Sequence, residues 1–95
     1  MLNRADLESI HQYSDHHREL LESSERAGCF HCEQFFSPGE IMDWIDGRQV
    51  ETGRTEDGLT ALCPRCGIDA VLPSAAPIAL TAEMLADMRR HWFDR

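Results

Sequence analysis

The stretch LTALCPRCGIDAVLP, residues 59–73, holds a CxxC pair between two short apolar runs, and a second CxxC pair precedes it in GCFHCEQFFSPGEIMDWIDG, residues 28–47. Structural zinc is bound by four tetrahedral ligands, and a CxxC turn lets two thiolates converge on one ion. In the later pair, proline after the first cysteine fixes the turn, and glycine after the second permits a positive φ. The spacing predicts one structural zinc site, with the ligands Cys29, Cys32, Cys63 and Cys66.

Two disulfide bonds are the alternative use of four cysteines. Disulfides persist in oxidising compartments, whereas cytoplasmic thiols stay reduced. The opening residues, MLNRADLESIHQ, are polar and charged and lack the apolar region of a secretory signal, and no stretch approaches the ~18 apolar residues of a membrane span. We therefore expect a cytoplasmic protein, without a membrane segment, whose reduced thiols bind one Zn²⁺.

The predicted site is closed, because all four positions are cysteine and catalytic zinc usually keeps an open position for water. His31 lies between the first two cysteines. We expect it to be an exposed residue of the turn and not a ligand, since four thiolates complete the shell. Bound zinc would contribute on the order of 10 kcal/mol to folding, so we expect the metal-free chain to unfold or partly melt.

The N-terminal third is expected to form one long amphipathic helix over residues 4–27, beginning after Asn3 and stopping at Gly28. Apolar side chains recur along it at helical spacing. Ser14 and His17, however, occupy turns where a core helix would carry Leu or Ile. The helix is therefore expected to pack loosely or to face a polar site.

A short helix is expected between the two cysteine pairs. Ser37, Pro38 and Glu40 form its start signature: a capping serine, a proline at the first helical position and a glutamate three residues after the cap. Gly47 would end it, and the polar segment 48–58 is expected to be a turn or a weak hairpin. The buried face of this short helix would carry Ile41, Trp44 and Ile45.

The last third is expected to contain two short strands joined by the second cysteine pair, followed by a helix over about 81–94 capped by Thr81. The buried stripe of that helix would carry Leu85, Met88 and Trp92, with Met84 beside it. Phe93 lies off this stripe and is expected to be the exception to burial in the core. The fold class is therefore α+β: a zinc-ribbon or treble-clef-like unit with a short β-hairpin, flanked by the two helices. We expect one domain over residues 1–95, with its zinc-bound core at about 28–73.

Three segments together, GCFHCEQFFSPGEIMDWID, TALCPRCGIDAVL and LADMRRHWF, resemble a family of small, functionally uncharacterised bacterial cytoplasmic proteins. The family pattern is CGCFxCxxxFxPxEIxxWxD, then TALCPxCGIDSVI, then FLxxMxxxWF, and the match runs from about His17 to Phe93. Ala27 and Ala70 depart from it, since the family often has cysteine and serine there. The resemblance implies a zinc-ribbon-like fold with the four cysteines as ligands, and it does not assign a function. It also implies motif positions at Pro38, Glu40, Ile41, Trp44, Asp46, Asp69, Met88 and Trp92.

The charge of the chain disfavours nucleic acid as a partner. Arginine supplies every basic side chain other than histidine, the formal net charge is -8, and a four-thiolate zinc site would add about -2 more. Nucleic-acid binding rests on phosphate neutralisation by Lys and Arg. Arg89, Arg90 and Arg95 cluster only at the C-terminus, which is typical of basic residues that complement a helix dipole. We expect a protein partner instead.

Asp69 is the strongest candidate for a role beyond the metal, because aspartate is disfavoured on the strand expected there. Its carboxylate could accept backbone amide bonds and pin the strand, or it could form a binding or acid–base site with His17 or His16. No nucleophile with its base, phosphate loop, HExxH motif or spare thiol accompanies it. The leading hypothesis is a structural-zinc protein that acts as a protein-binding or regulatory module. The alternative is a small enzyme or small-ligand binder that uses Asp69 with one of these histidines.

Overall fold

The computed structural model describes residues 3–45 and 58–93, which form a mixed helix-and-sheet structure, so the α+β class is confirmed. No helix within those two ranges has the length and apolar character needed to cross a bilayer. The helices are α1 (Arg4–His11), α2 (Arg18–Glu22) and α3 (Ala82–Trp92), with single 3-10 turns at Gln12–Ser14 and Pro38–Glu40. The strands are β1 (Ala27–Cys29), β2 (Phe35–Phe36), β3 (Trp44–Ile45), β4 (Thr60–Ala61) and β5 (Val71–Pro73).

Strand β1 is the centre of an antiparallel sheet with the order β2-β1-β5, and β3 and β4 form a second, two-stranded sheet. Cys29, at the end of β1, lies opposite Val71 of β5. In the second sheet, Trp44 lies opposite Ala61. The two strands expected around the second cysteine pair are therefore present as β4 and β5, but each pairs with a different partner and they do not form a hairpin with each other.

Helix α3 packs closely on the three-stranded sheet. Thr81 caps it, since its hydroxyl accepts a hydrogen bond from the Met84 amide, and Leu85 and Met88 are fully buried as the stripe predicts. Gly28, which we expected to end a helix, lies in β1 instead, where an added Cβ would stand 3.1 Å from Leu85 Cδ1. Glycine at this position thus lets the helix approach the sheet.

The single helix expected over residues 4–27 is wrong. Helix α1 ends at His11, a 3-10 turn follows, and the helical path is interrupted before α2. Ala27, the last residue of the expected helix, belongs to β1. At the break, His16 has a φ of 47°, and its amide donates a 2.8 Å hydrogen bond to Thr60 Oγ1 of β4. An uninterrupted helix would hold that amide in its own i→i−4 ladder, so the break exchanges helical bonds for contact with β4.

His17 holds the broken segment against β4. Its side chain is 2% exposed, its Nδ1 lies 2.6 Å from the Tyr13 carbonyl oxygen, and its Nε2 lies 3.1 Å from the Ala61 amide nitrogen. Because a backbone amide can only donate, Nε2 accepts this bond and the ring proton lies on Nδ1. Burial lowers the pKa of His17 and outweighs the opposing effect of the Tyr13 carbonyl. His17 is therefore a neutral residue of the core with both nitrogens bonded to backbone.

The short helix expected after Ser37 is also wrong beyond its first turn. The start signature operates, since the Ser37 amide donates a 2.8 Å hydrogen bond to Glu40 Oε2, but Ile41 is already extended. Ile45 pairs with β4 and accepts a 2.8 Å hydrogen bond from the Leu59 amide. Pairing with β4 thus replaces the helix that the local pattern predicted. The expected stop at Gly47 and residues 48–57 of the expected turn lie outside the described residues.

Replacing His17 by alanine is expected to destabilise the zinc-bound protein by about 3 kcal/mol or more. The substitution leaves the Ala61 amide and the Tyr13 carbonyl without their partner, at a cost of ~1–3 kcal/mol for each buried group. Chemical denaturation at pH 7.5 with saturating zinc measures the change, and a loss below about 1 kcal/mol would contradict the assignment.

The same contact predicts a pH dependence. The pKa of His17 is lowered in the native state, so the unfolded chain takes up the proton first as the pH falls. The stabilisation is fully present above pH about 6.5 and is lost as the pH falls below that value towards the native pKa. His17→Gln, which cannot titrate, should therefore lose less stability than the wild type between pH 7.5 and 5.5 at equal, saturating zinc. Identical losses in both proteins would refute this origin.

Candidate metal centre

Four sulfur atoms meet where the turn after β1 approaches the segment between β4 and β5. The Sγ atoms of Cys29 and Cys66 lie 3.7 Å apart, as do those of Cys32 and Cys63, and all four lie within 4.8 Å of one another. A tetrahedron with metal–sulfur bonds of ~2.3 Å has an S···S edge of about 3.8 Å. All four cysteines are free of disulfide bonds. Their spacing therefore suits a four-thiolate metal site.

The first knuckle, residues 29–34, connects β1 to β2. The Cys29 amide donates to the Gln34 carbonyl (3.0 Å), and the Glu33 amide donates back to the Cys29 carbonyl (2.8 Å). The His31 amide points at the Cys29 sulfur from 3.3 Å. Amide donors of this kind stabilise the negative charge of a ligating sulfur and orient it. The turn thus positions its first ligand with backbone groups alone.

The second knuckle, residues 63–68, repeats the first bond for bond. The Cys63 amide donates to the Ile68 carbonyl (3.0 Å), and the Gly67 amide donates to the Cys63 carbonyl (2.9 Å). The Arg65 amide lies 3.3 Å from the Cys63 sulfur. Two copies of one local structure, from distant parts of the sequence, therefore present two sulfurs each to a common centre.

The two knuckles differ in the residue that follows the second cysteine. Gly67 has a φ of 80°, as the sequence pattern predicted, whereas Glu33 occupies the matching position with a φ of 60°. The left-handed region costs a residue with a Cβ roughly 1–2 kcal/mol. The first knuckle therefore carries backbone strain that glycine removes from the second.

The metal-free thiols have unequal acidities. Burial raises the pKa of Cys29 despite hydrogen bonds from the Cys32 and His31 amides, and it also raises the pKa of Cys32. Burial acts on Cys63 too, but amide hydrogen bonds from Arg65 and Cys66 outweigh it and lower its pKa. A metal ion must displace the protons of the thiols that it binds, because thiolates are the ligating form.

His31 lies outside the group of ligand atoms, in line with its expected role as a non-ligand. It is half-buried and not exposed: its ring packs edge-on against Phe93 at a centroid distance of 4.8 Å. Its carbonyl accepts a hydrogen bond from Arg89 of α3. The first knuckle is thus attached to the end of α3 through side chain and backbone together.

The structure does not bring Asp69 together with His17. Asp69 is exposed, and within the described ranges its carboxylate accepts no hydrogen bond, so the backbone contacts expected to pin the strand are not present. It lines a small cavity together with His11 and Asp15, two residues that no sequence pattern indicated. His17 does not line this cavity, and Nδ1 of the exposed His16 side chain lies 3.6 Å from Asp15 Oδ2. Only long-range contacts assemble the cavity, so spacing along the chain could not reveal it.

Comparison with known proteins returned no match to a protein-family model, a curated protein or a solved structure. The resemblance to the small bacterial family therefore remains a prediction. The functional case is made by the geometry of the cysteine site and its surroundings.

The purified protein is expected to contain about one zinc per chain, bound by the four cysteines. Excess chelator should then remove the zinc and abolish the cooperative thermal transition. Cys63→Ser should lower the zinc content of the purified protein. His31→Ala is the matched control, because it alters the first knuckle without removing a sulfur and should retain the metal. A chain that keeps its transition after complete metal removal, or that holds iron in place of zinc, would contradict this prediction.

The strained knuckle position predicts opposite effects of two substitutions. Glu33→Gly should raise the free energy of unfolding of the zinc-bound protein by about 0.5–1 kcal/mol, since relief of strain exceeds the added entropy of the unfolded chain. Gly67→Ala should lower it by about 1 kcal/mol, and this cost is conformational because an added Cβ there meets nothing within 4 Å. Denaturation at saturating zinc measures both, and two changes of the same sign would be inconsistent with matching knuckles.

Proposed function

We propose that the chain is a structural-zinc protein that acts as a protein-binding or regulatory module in the bacterial cytoplasm. The observation that carries the proposal is the set of four cysteine sulfurs at tetrahedral spacing. A metal with four thiolate ligands has no open position for water or substrate, which distinguishes a structural site from a catalytic one. Tetrahedral sulfur ligation suits zinc or iron, and zinc is the redox-inert choice for a purely structural role.

The metal has a clear mechanical task in this fold. Cys29 and Cys32 come from the turn between β1 and β2, and Cys63 and Cys66 from the segment between β4 and β5. Strands of two or three residues supply few ladder hydrogen bonds, so their arrangement depends on other links. A shared zinc ion fixes both segments at one point and thereby orders the surfaces around them.

The proposed partner surface lies on β3 and on the residues just before β3 and β4. Met42, Ile45 and Leu59 are 85%, 38% and 41% exposed. Ile45 and Leu59 are joined by a backbone hydrogen bond across these strands. Exposed apolar side chains on and beside paired strands favour protein contacts, and methionine is enriched at such interfaces. We call these three residues the β3–β4 face.

Affinity capture from the native host tests this proposal, with the tagged zinc-bound protein compared with a triple variant, Met42→Ser, Ile45→Ser and Leu59→Ser. The wild type should retain a stoichiometric protein partner. The triple variant should retain at least about tenfold less of that partner, while it keeps its own zinc and thermal transition. Tenfold corresponds to about 1.4 kcal/mol, which is modest for three apolar contacts.

Glu83→Gln is the control, because it changes an exposed residue at the start of α3, a helix that packs on the other, three-stranded sheet, and it should leave capture unchanged. Equal capture by the wild type and the triple variant would overturn the assignment of the surface. Failure of any stoichiometric partner to co-purify with the zinc-bound wild type would overturn the binding role itself.

A further inference from the structure

A cavity of about 230 Å³ opens beside the first knuckle. It lies where the end of α1, the exit of the second knuckle and the end of α3 meet. We call it the knuckle cavity. Sites for drug-sized ligands usually measure ~300–1,000 Å³, so this cavity suits a group of the size of one side chain. It is lined by four residues with aromatic rings, two aspartates and one serine: His11, Phe30, Trp92, Phe93, Asp15, Asp69 and Ser14.

The aromatic walls form one continuous cluster. The ring centroids of His11 and Trp92 lie 4.2 Å apart, and those of Phe30 and Phe93 lie 5.7 Å apart. His11 connects the two pairs, because its ring is also 6.0 Å from that of Phe30. Phe93 is 42% exposed, so part of the cluster faces solvent. The faces of such rings carry partial negative charge and attract cations.

The carboxylates of the cavity lack a strong partner within the described chain. Asp69 accepts no hydrogen bond there, and Asp15 has only the 3.6 Å contact with His16, whose side chain is more than half exposed. The described arginines point elsewhere, to the following acceptors: Arg4 to Glu8, Arg18 to the Gly58 carbonyl, Arg26 to the Leu80 carbonyl, Arg65 to Glu40, Arg89 to the His31 carbonyl and Arg90 to Asp87.

We propose that the knuckle cavity binds the guanidinium group of an external ligand. A guanidinium is planar, stacks on aromatic faces and donates paired hydrogen bonds to carboxylates, so it matches both kinds of wall. The charge is complementary as well, since the chain carries a formal net charge of -8. The guanidinium can belong to a free small molecule or to an arginine side chain of a partner. The site is separate from the β3–β4 face and does not depend on it.

The position of the cavity links binding to the metal. Phe30 belongs to the first knuckle, where it follows Cys29, and Asp69 comes directly after the last residue of the second knuckle. A metal ion shared by the two knuckles would therefore fix the position of these two walls relative to each other. The guanidinium is bound only by the metal-loaded chain.

Nuclear magnetic resonance titration of the zinc-loaded, ¹⁵N-labelled chain tests the proposal. N-acetylarginine methylamide should shift the indole signal of Trp92 and the amides of Phe30 and Asp69, with a Kd on the order of 1 mM. N-acetylcitrulline methylamide has nearly the same shape without the charge and should cause no saturable shift at the same concentrations. Equal binding of the two probes, or binding of neither, would overturn the proposal.

Single substitutions locate the site. Asp69→Asn and Asp15→Asn should each weaken binding about two- to fivefold, as expected for loss of one partly exposed charge contact. Glu19→Gln removes the same charge away from the cavity and should leave the Kd unchanged. Should an aspartate variant lose zinc, Phe93→Leu carries the test, because it removes an exposed ring face and should also weaken binding. Unchanged affinity in a zinc-loaded Asp69→Asn or Phe93→Leu protein would overturn the location.

The source of the guanidinium is resolved by a second probe, ethylguanidinium. Tighter binding of N-acetylarginine methylamide assigns the site to an arginine side chain of a protein, and equal binding assigns it to a free small cation. Both results support the site. An apo chain that binds either probe as well as the zinc-loaded chain does would overturn the link to the metal.

Discussion

The convergence of four cysteine sulfurs at tetrahedral spacing is the constraint on which the rest of the structure depends. Each knuckle is a self-sufficient turn, held by its own backbone hydrogen bonds and by an amide directed at its first sulfur. What the knuckles cannot do alone is fix their mutual position, because the strands that leave them are only two or three residues long. A metal ion shared between Cys29, Cys32, Cys63 and Cys66 would close the long segment that separates the pairs. It would also compensate for the small core of a chain of this length.

The helices are joined to this centre by particular polar contacts as well as by apolar packing. His17 uses both ring nitrogens to hold the segment before α2 against β4, and the glycine of β1 leaves room for Leu85 of α3. Arg89 donates to the carbonyl of His31, so the end of α3 is tied to the first knuckle. These contacts place an aromatic cluster and two carboxylates directly beside the metal site. The surfaces available for binding are therefore arranged around the ion and not by the ion's own chemistry.

Signals that act within a few residues predicted their structures well. The CxxC spacing identified the cysteine cluster, Thr81 caps α3 as expected, and Asn3 caps α1 through a hydrogen bond from the Asp6 amide. The end of the expected N-terminal helix is taken by β1, and the other helix failures share one physical cause, which is competition from β4. It pairs with Ile45 where a helix was expected, and it binds His16 and His17 where the first helix was expected to continue. The polar residues that weakened the N-terminal helix pattern marked this break, but the knuckle cavity is assembled from four distant segments and had no local signal.

The zinc-bound module and its two proposed binding surfaces all presuppose a closed shell of four thiolates. X-ray absorption spectroscopy at the metal edge of the purified protein measures that shell directly, whatever the stability of the chain. The account predicts zinc with four sulfur neighbours at ~2.3 Å and no nitrogen or oxygen ligand. A shell with fewer sulfurs completed by nitrogen or oxygen would mean an open or different site, and would contradict the structural role from which the rest follows.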